Sequence, residues 1–191
     1  TYSTQDPVTG MMNGILLDYN ARGGLITENV FTATGLSLTY KFNQLTIFDA
    51  LKKVLEMSPQ GYYSYIDLGT AELNILQQST TADFTVVRGK DINELTITMS
   101  IEQIKNYLLL SGVEVSPGVN LYRQYADTES VSNYGIRMGN KSDNRITQTA
   151  TSDAIGNSFI EENAAETHLT AVTVLNSKFD ISLLTPGKTI G

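Results

Sequence analysis

The rest of the chain is arranged around LTITMSIEQIKNYLLLSG, residues 95–112. Its first part alternates between two sets of side chains. The apolar set is Leu95, Ile97, Met99 and Ile101, and the polar set is Thr96, Thr98 and Ser100. Successive side chains of a strand point to opposite faces. The alternation therefore predicts a half-buried strand, with the apolar set in the core and the polar set facing outward.

The second part of this stretch resumes after a polar break. Residues 102–106 are mostly polar, residues 107–110 are apolar, and Ser111 and Gly112 follow. We interpret the whole as two strands joined by a bend, which carry the chain from one half, residues 1–90, into another, residues 91–191. The alternative, that both halves form one compact body, stays open.

The composition indicates a folded chain with a weakly charged surface. Of the 191 residues, 41% are hydrophobic and 17% charged, the formal net charge is -7, and cysteine is absent. The absence of cysteine excludes disulfides and thiolate metal sites. No basic patch suited to phosphates is present, which argues against sequence-specific nucleic-acid binding. Apolar runs of about four residues are far shorter than the roughly 20 that a membrane span needs.

The first half is predicted to contain two helices, two strands and a hairpin. A helix begins at Pro7, capped by Asp6, and ends at Gly23. A strand covers residues 36–42, and a second helix begins after Thr46, with Asp49 as the acid of a capping box. A β-hairpin covers residues 62–76, and a further strand covers residues 84–87.

The second half is predicted to contain further strands, a short helix and a long helix. After the turn at Pro117, a strand covers residues 120–125 and a short helix covers residues 127–134. A loop around residues 139–144 leads to a long helix over residues 147–165, in which Gly156 is a weak point. Two final strands cover residues 171–175 and 179–183.

No arrangement of side chains indicates catalysis. The single histidine, His168, has neither a second histidine nor a cysteine to share a metal, and we expect it on the surface. Glu161 and Glu162 are neighbours on a helix and point about 100° apart, so they cannot face each other across a glycoside. Asp67 is explained equally well as an exposed acidic residue at the end of the predicted hairpin. We predict no enzymatic activity, no cofactor and no metal.

The hairpin tyrosines suggest a contact surface. Tyr63 and Tyr65 lie on the same side of a predicted strand of which one face is buried. Tyrosine favours strands, so half-burial is the simpler explanation. An exposed tyrosine pair would suit a protein interface, or alternatively the stacking of a sugar ring.

Several segments resemble tail-tip hub proteins of siphophages and prophages. The matching segments are residues 49–51, 54–61, 65–69, 95–97, 100–102, 105–107, 132–137 and 179–187, together with Gly112. They follow the family's order over most of the chain. Tyr65 stands where the family usually has tryptophan, and Val113 stands where it has a second glycine, so the resemblance is to a distant member.

The resemblance implies an α+β fold, dominated by sheets, with barrel-like β modules and two or three covering helices. It also implies a structural role in the tail tip or baseplate hub of a virion. There, other copies of the chain would form a ring, expected to be a trimer, between the tail tube and distal tail proteins. No insertion into a membrane is expected. The runner-up function is a carbohydrate-binding module for a host-surface glycan.

This structural role leads to a specific prediction for the polar set of residues 95–112. Thr96, Thr98 and Ser100 are predicted to face a neighbouring subunit or the tube lumen through which DNA passes. Tyr63 and Tyr65 are the other candidate interface residues. The resemblance further implies that the chain is one part of a longer tail protein whose other parts bind or degrade the cell wall.

Overall fold

The computed structural model describes residues 2–43, 45–82 and 92–174. The strands are β1 (Tyr2–Gln5), β2 (Thr27–Phe31), β3 (Leu38–Tyr40), β4 (Tyr62–Asp67), β5 (Glu72–Gln77), β6 (Ile92–Ser100), β7 (Tyr107–Ser116), β8 (Val119–Ala126), β9 (Met138–Ser142) and β10 (Thr167–Val174). The helices are α1 (Asn13–Ala21), continuous with a π-helical segment (Pro7–Met12), α2 (Ile47–Met57), α3 (Thr128–Tyr134) and α4 (Thr149–Asn163).

The described strands form four small open sheets. Their strand orders are β1-β3, β2-β5-β4, β8-β7-β9 and β10-β6. Most neighbouring strands are antiparallel, whereas β2 pairs with β5, and β9 with β7, in parallel. The α+β class is confirmed. The expected barrel-like closure is not seen, because no sheet of the described residues exceeds three strands.

Local capping signals place the first two helices as predicted. The Asp6 carboxylate accepts hydrogen bonds from Val8 N at 2.9 Å and Thr9 N at 3.0 Å, and thereby caps the π-helical segment. Thr46 Oγ1 accepts from Asp49 N at 3.1 Å and caps α2. The strongly amphipathic α2 buries Val54 and Met57 and ends before Pro59. The hairpin of β4 and β5 is also confirmed, with its turn at residues 68–71.

The predicted strand at residues 120–125, the short helix and the long helix correspond to β8, α3 and α4. Gly156, the expected weak point of α4, is instead a point of close approach. A Cβ there would overlap the ring of Tyr125 on β8. A side chain is therefore excluded, and glycine lets α4 pack directly against the sheet.

Some predictions differ from the structure. Residues 139–144, predicted as a loop, contain most of β9. This strand pairs with β7, and the residues of β9 alternate between exposed and half-buried. The strands β1 and β2 were not predicted, because short polar strands carry no apolar alternation. The predicted strand over residues 36–42 is shortened to β3. The strands predicted at residues 84–87 and 179–183 lie outside the described residues.

One hydrophobic core draws on both halves of the chain. Its fully buried members include Met11, Tyr40 and Ile75 from the first half, and Leu108 and Ile155 from the second. The division after residue 90 remains a prediction about folding units. The shared core means that the two halves pack together along their apolar faces.

Candidate assembly surface

The strands β6 and β10 form a two-stranded antiparallel ribbon. Its register places Ile97 opposite Thr170, Thr98 opposite Leu169, and Met99 opposite His168. Directly opposed residues share a face of the ribbon. The principal packing partner of each strand is the other, and neither packs extensively against another described element. The ribbon therefore extends from the body that holds the core.

One face of the ribbon carries an uncovered row of apolar side chains from β6, beside Thr170 and His168 of β10. Its members from the opening stretch are Leu95, Ile97, Met99 and, just after the strand, Ile101, with exposed fractions of 38%, 54%, 62% and 43%. The expectation that these side chains lie in the core is therefore wrong. Alternation correctly predicts a strand with two unlike faces. It does not reveal that no element of the described chain covers the apolar face.

The opposite face carries the threonines. Thr96 and Thr98 are exposed, and Ser100 is half-buried, its hydroxyl accepting a hydrogen bond from Glu102 N at 3.3 Å. Leu169, on β10, shares this face with Thr98 and is 69% exposed. The structure thus brings the three predicted interface residues onto one accessible surface, and adds Leu169, which the sequence analysis did not single out.

The base of the ribbon is fixed to the body by Asn106, which is fully buried. Its Nδ2 donates to Gly135 O at 2.9 Å and to Ser130 Oγ at 3.2 Å, and its Oδ1 accepts from Arg137 N at 2.7 Å. Arg137 Nη1 also donates to Ile101 O at 2.8 Å. The bend between β6 and β7 is thus joined by hydrogen bonds to α3 and to the segment that leads into β9.

The other strand of the ribbon is fixed through a tyrosine. Tyr134 Oη donates to Glu166 Oε1 at 2.6 Å, immediately before β10. The hydrogen bond to this carboxylate raises the pKa of the Tyr134 hydroxyl. His168 follows with its side chain 57% exposed and Nε2 at 3.7 Å from Glu166 Oε2, so its predicted surface position is confirmed.

The hairpin tyrosines are separated from the ribbon in the fold. Tyr63 and Tyr65 lie on β4, an edge strand of the β2-β5-β4 sheet, and their rings stack with centroids 6.4 Å apart. Both are half-buried. The structure therefore brings this pair together, but not with Thr96, Thr98 and Ser100. A role for either group in binding stays a prediction.

The acidic candidates are explained by local structure. Glu161 and Glu162 are exposed on α4, and Asp67 accepts a hydrogen bond from Gly69 N at 2.8 Å in the hairpin turn. Among the described residues, no group of three or more His, Asp or Glu side chains could hold a metal ion. In the same part of the chain, no helix has the length and apolarity needed to cross a membrane.

The fold is that of prophage tail proteins. The prophage tail protein gp18 of Listeria monocytogenes aligns with 88% of this chain at a TM-score of 0.56 and 15% sequence identity. A 43 kDa tail protein of prophage MuSo2 from Shewanella oneidensis aligns with 98% of the chain at a TM-score of 0.50 and 16% identity.

This chain spans about half the length of those two solved proteins, since 52% of each is covered. No protein-family model matches the sequence, and no curated protein matches it significantly. At these identities the likeness defines the fold alone.

Proposed function

We propose that this chain is a non-enzymatic structural component of a phage tail tip or baseplate hub, and that it assembles with copies of itself through the β6–β10 ribbon. The likeness of fold to prophage tail proteins supports a role in the virion tail. The observation that carries the proposal is the ribbon, which extends from the body with an uncovered apolar face.

A ribbon of this kind requires a partner for physical reasons. An isolated two-stranded sheet is marginally stable in water, and its outer edges present unpaired backbone groups. Here β6 and β10 pair only with each other among the described strands. Large exposed side chains such as Ile97 and Met99 add apolar surface that a contact would remove from water. Assembly would stabilise the ribbon and cover this surface at the same time.

The two faces of the ribbon suit two different neighbours. The apolar face is suited to a second copy of the chain, because burying Ile97 and Met99 releases water from apolar surface. The face with Thr96, Thr98 and Ser100 is suited to a water-filled passage. Neither β6 nor β10 contains lysine or arginine, and a passage for DNA must avoid cations that would hold phosphates.

The proposed assembly is a ring that joins the tail tube to distal tail proteins and surrounds the passage for DNA. The expected number of copies, three, comes from the resemblance to tail-tip hubs. The net charge of -7 is compatible with this role, because an acidic ring does not retain nucleic acid.

The test is the mass of the purified chain in solution, measured by sedimentation over a wide concentration range. We expect the wild type to form a concentration-dependent oligomer. The double variant Ile97→Glu, Met99→Glu places two charges on the apolar face and should be a monomer, because burying unpaired carboxylates is costly. The matched variant Thr96→Glu, Thr98→Glu adds the same charge to the same strand, but on the other face, and should retain the oligomer.

Two results would contradict the proposal. A wild type that stays monomeric at every concentration would remove self-assembly through the ribbon. An oligomer that survives in the apolar-face variant and is lost in the threonine-face variant would reverse the assignment of the faces. Circular dichroism of each variant establishes that its fold is retained.

A further inference from the structure

A wide groove lies at the end of α2, far along the chain from the ribbon. It has a volume of about 760 Å³ and is bounded by the C-terminal end of α2, the base of the β4–β5 hairpin and one side of α4. Ligand sites commonly have volumes of about 300–1,000 Å³. The groove is therefore large enough for a molecule of two or three rings, and it is open enough to admit a chain.

Neutral polar side chains dominate its walls. Gln60, Gln77, Gln78, Thr80 and Ser158 all line it. The three glutamines are exposed, and their side-chain amides form no hydrogen bond within the described part of the chain. A primary amide offers both a donor and an acceptor, as a hydroxyl does. Walls of this composition match a ligand that itself carries many hydroxyl groups.

An aromatic ring is held in place on the same surface. Tyr62 lines the groove, and its hydroxyl donates to Ala33 O at 2.7 Å. The backbone beside it is fixed by a hydrogen bond from Gln78 N to Gly61 O at 2.7 Å. Pro59 and Leu55 add further apolar surface. A fixed ring beside exposed amides can contact the apolar side of a sugar while the amides bind its hydroxyls.

The charges of the groove do not favour an ionic ligand. Glu56 is neutralised by Lys53 at 2.9 Å and Lys141 at 2.7 Å. Lys52 and Glu162, both exposed, leave one charge of each sign on the walls. A phosphate or a sulfated ligand would need several cations, and the described residues that line the groove supply only Lys52 without an acidic partner.

We propose that this groove binds a neutral oligosaccharide. The inference goes beyond the structural role in the tail, and it places sugar recognition at Tyr62 and the three glutamines and not at the stacked pair Tyr63 and Tyr65. It concerns residues that take no part in the ribbon, so its failure would leave the assembly proposal unaffected.

The test uses the full chain labelled with ¹⁵N and titrated with chitotriose, maltotriose and cellotriose, followed by amide chemical shifts. We expect saturable shifts at Gly61, Gln77 and Gln78 with at least one of the three. In the double variant Gln60→Ala, Gln77→Ala, affinity should fall by more than about tenfold, since each lost hydrogen bond is worth roughly fivefold. Gln103→Ala removes an exposed amide outside the groove and should bind as the wild type does.

Two further measurements identify the contact. Tyr62→Phe keeps the ring and should retain most of the affinity, whereas Tyr63→Ala should have no effect. The absence of saturable groove shifts with all three sugars would overturn the proposal, as would equal binding by the double glutamine variant. The same shifts produced by the tripeptide Gly-Gln-Gly would also overturn it, because they would assign the groove to peptides.

Discussion

At the scale of single residues, Asn106 is the side chain that joins the base of the ribbon to the body. It sits in the polar break between β6 and β7, where the sequence shows only that alternation stops. In the folded chain it is buried and connects three segments, through Ser130, Gly135 and Arg137. An amide is suited to this position because it donates and accepts at once.

We predict that Asn106→Ala lowers the free energy of unfolding by about 3 kcal/mol, because buried partners would be left without hydrogen bonds. Urea denaturation followed by circular dichroism would measure this. The control is Asn133→Ala, which removes an exposed amide from α3 and should change stability by less than about 0.5 kcal/mol. Equal stability of the two variants would show that Asn106 does not anchor the ribbon base.

At the scale of elements, Asp6 joins a helix start to a distant loop. Besides capping the π-helical segment, its Oδ2 accepts from Thr34 N at 2.8 Å, Thr34 Oγ1 at 2.6 Å and Gly35 N at 2.9 Å. Partial burial raises the pKa of the Asp6 carboxyl, but the hydrogen bonds from Thr34, Thr9 and Val8 outweigh it. The pKa therefore lies below its ordinary value.

We predict that Asp6→Ala lowers stability at pH 7 by about 1–2 kcal/mol, the usual cost of losing a cap. A carboxyl whose pKa is lowered by folding stabilises the protein above its unfolded pKa, near 4, and this stabilisation is lost as pH falls through the folded pKa. The difference between wild type and variant should therefore shrink below about pH 4. Asp18→Ala, on the exposed side of α1, is the control; a constant difference at all pH values would contradict the prediction.

At the scale of the whole molecule, an ionic network joins the two halves at the edge of the shared core. Lys53 of α2 lies 3.2 Å from Asp143, which follows β9, and Tyr40 Oη of β3 donates to Asp143 Oδ2 at 2.6 Å. Lys141 of β9 contacts Glu56 of α2. Burial raises the pKa of Asp143, but hydrogen bonds from Tyr40 and Arg145 and the charge of Lys53 outweigh it and lower the net value.

We predict that the chain unfolds in one transition, so that amide signals from β5 and from β7 disappear at the same urea concentration. Asp143→Asn should shift both midpoints together, with a loss of about 2 kcal/mol at pH 7 that diminishes below about pH 4, because the lowered pKa means that the carboxylate stabilises the fold only while ionised. Glu161→Gln, on an exposed face, is the control. Separate midpoints for β5 and β7 would indicate two independent folding units.

Elements whose signals are local could be predicted from the sequence. The caps at Asp6 and Thr46, the break at Pro59 and the turn between β4 and β5 each depend on a few neighbouring residues, and these elements form where predicted. The α+β class, which the family resemblance implied, is consistent with these helices and strands. The alternation in residues 95–101 likewise fixed a strand with two unlike faces, because side-chain direction in a strand depends on the backbone alone.

The surroundings of each face could not be predicted from the sequence, because they depend on how distant segments pack. Leu95, Ile97 and Met99 can be buried only if another element packs against them. The described chain supplies no such element, and the residues near them in sequence do not indicate this. The strand β9 forms because β7 offers a backbone edge, and Gly156 is needed because the ring of Tyr125 lies against it. These outcomes depend on contacts between distant segments, which a pattern along the chain does not encode locally.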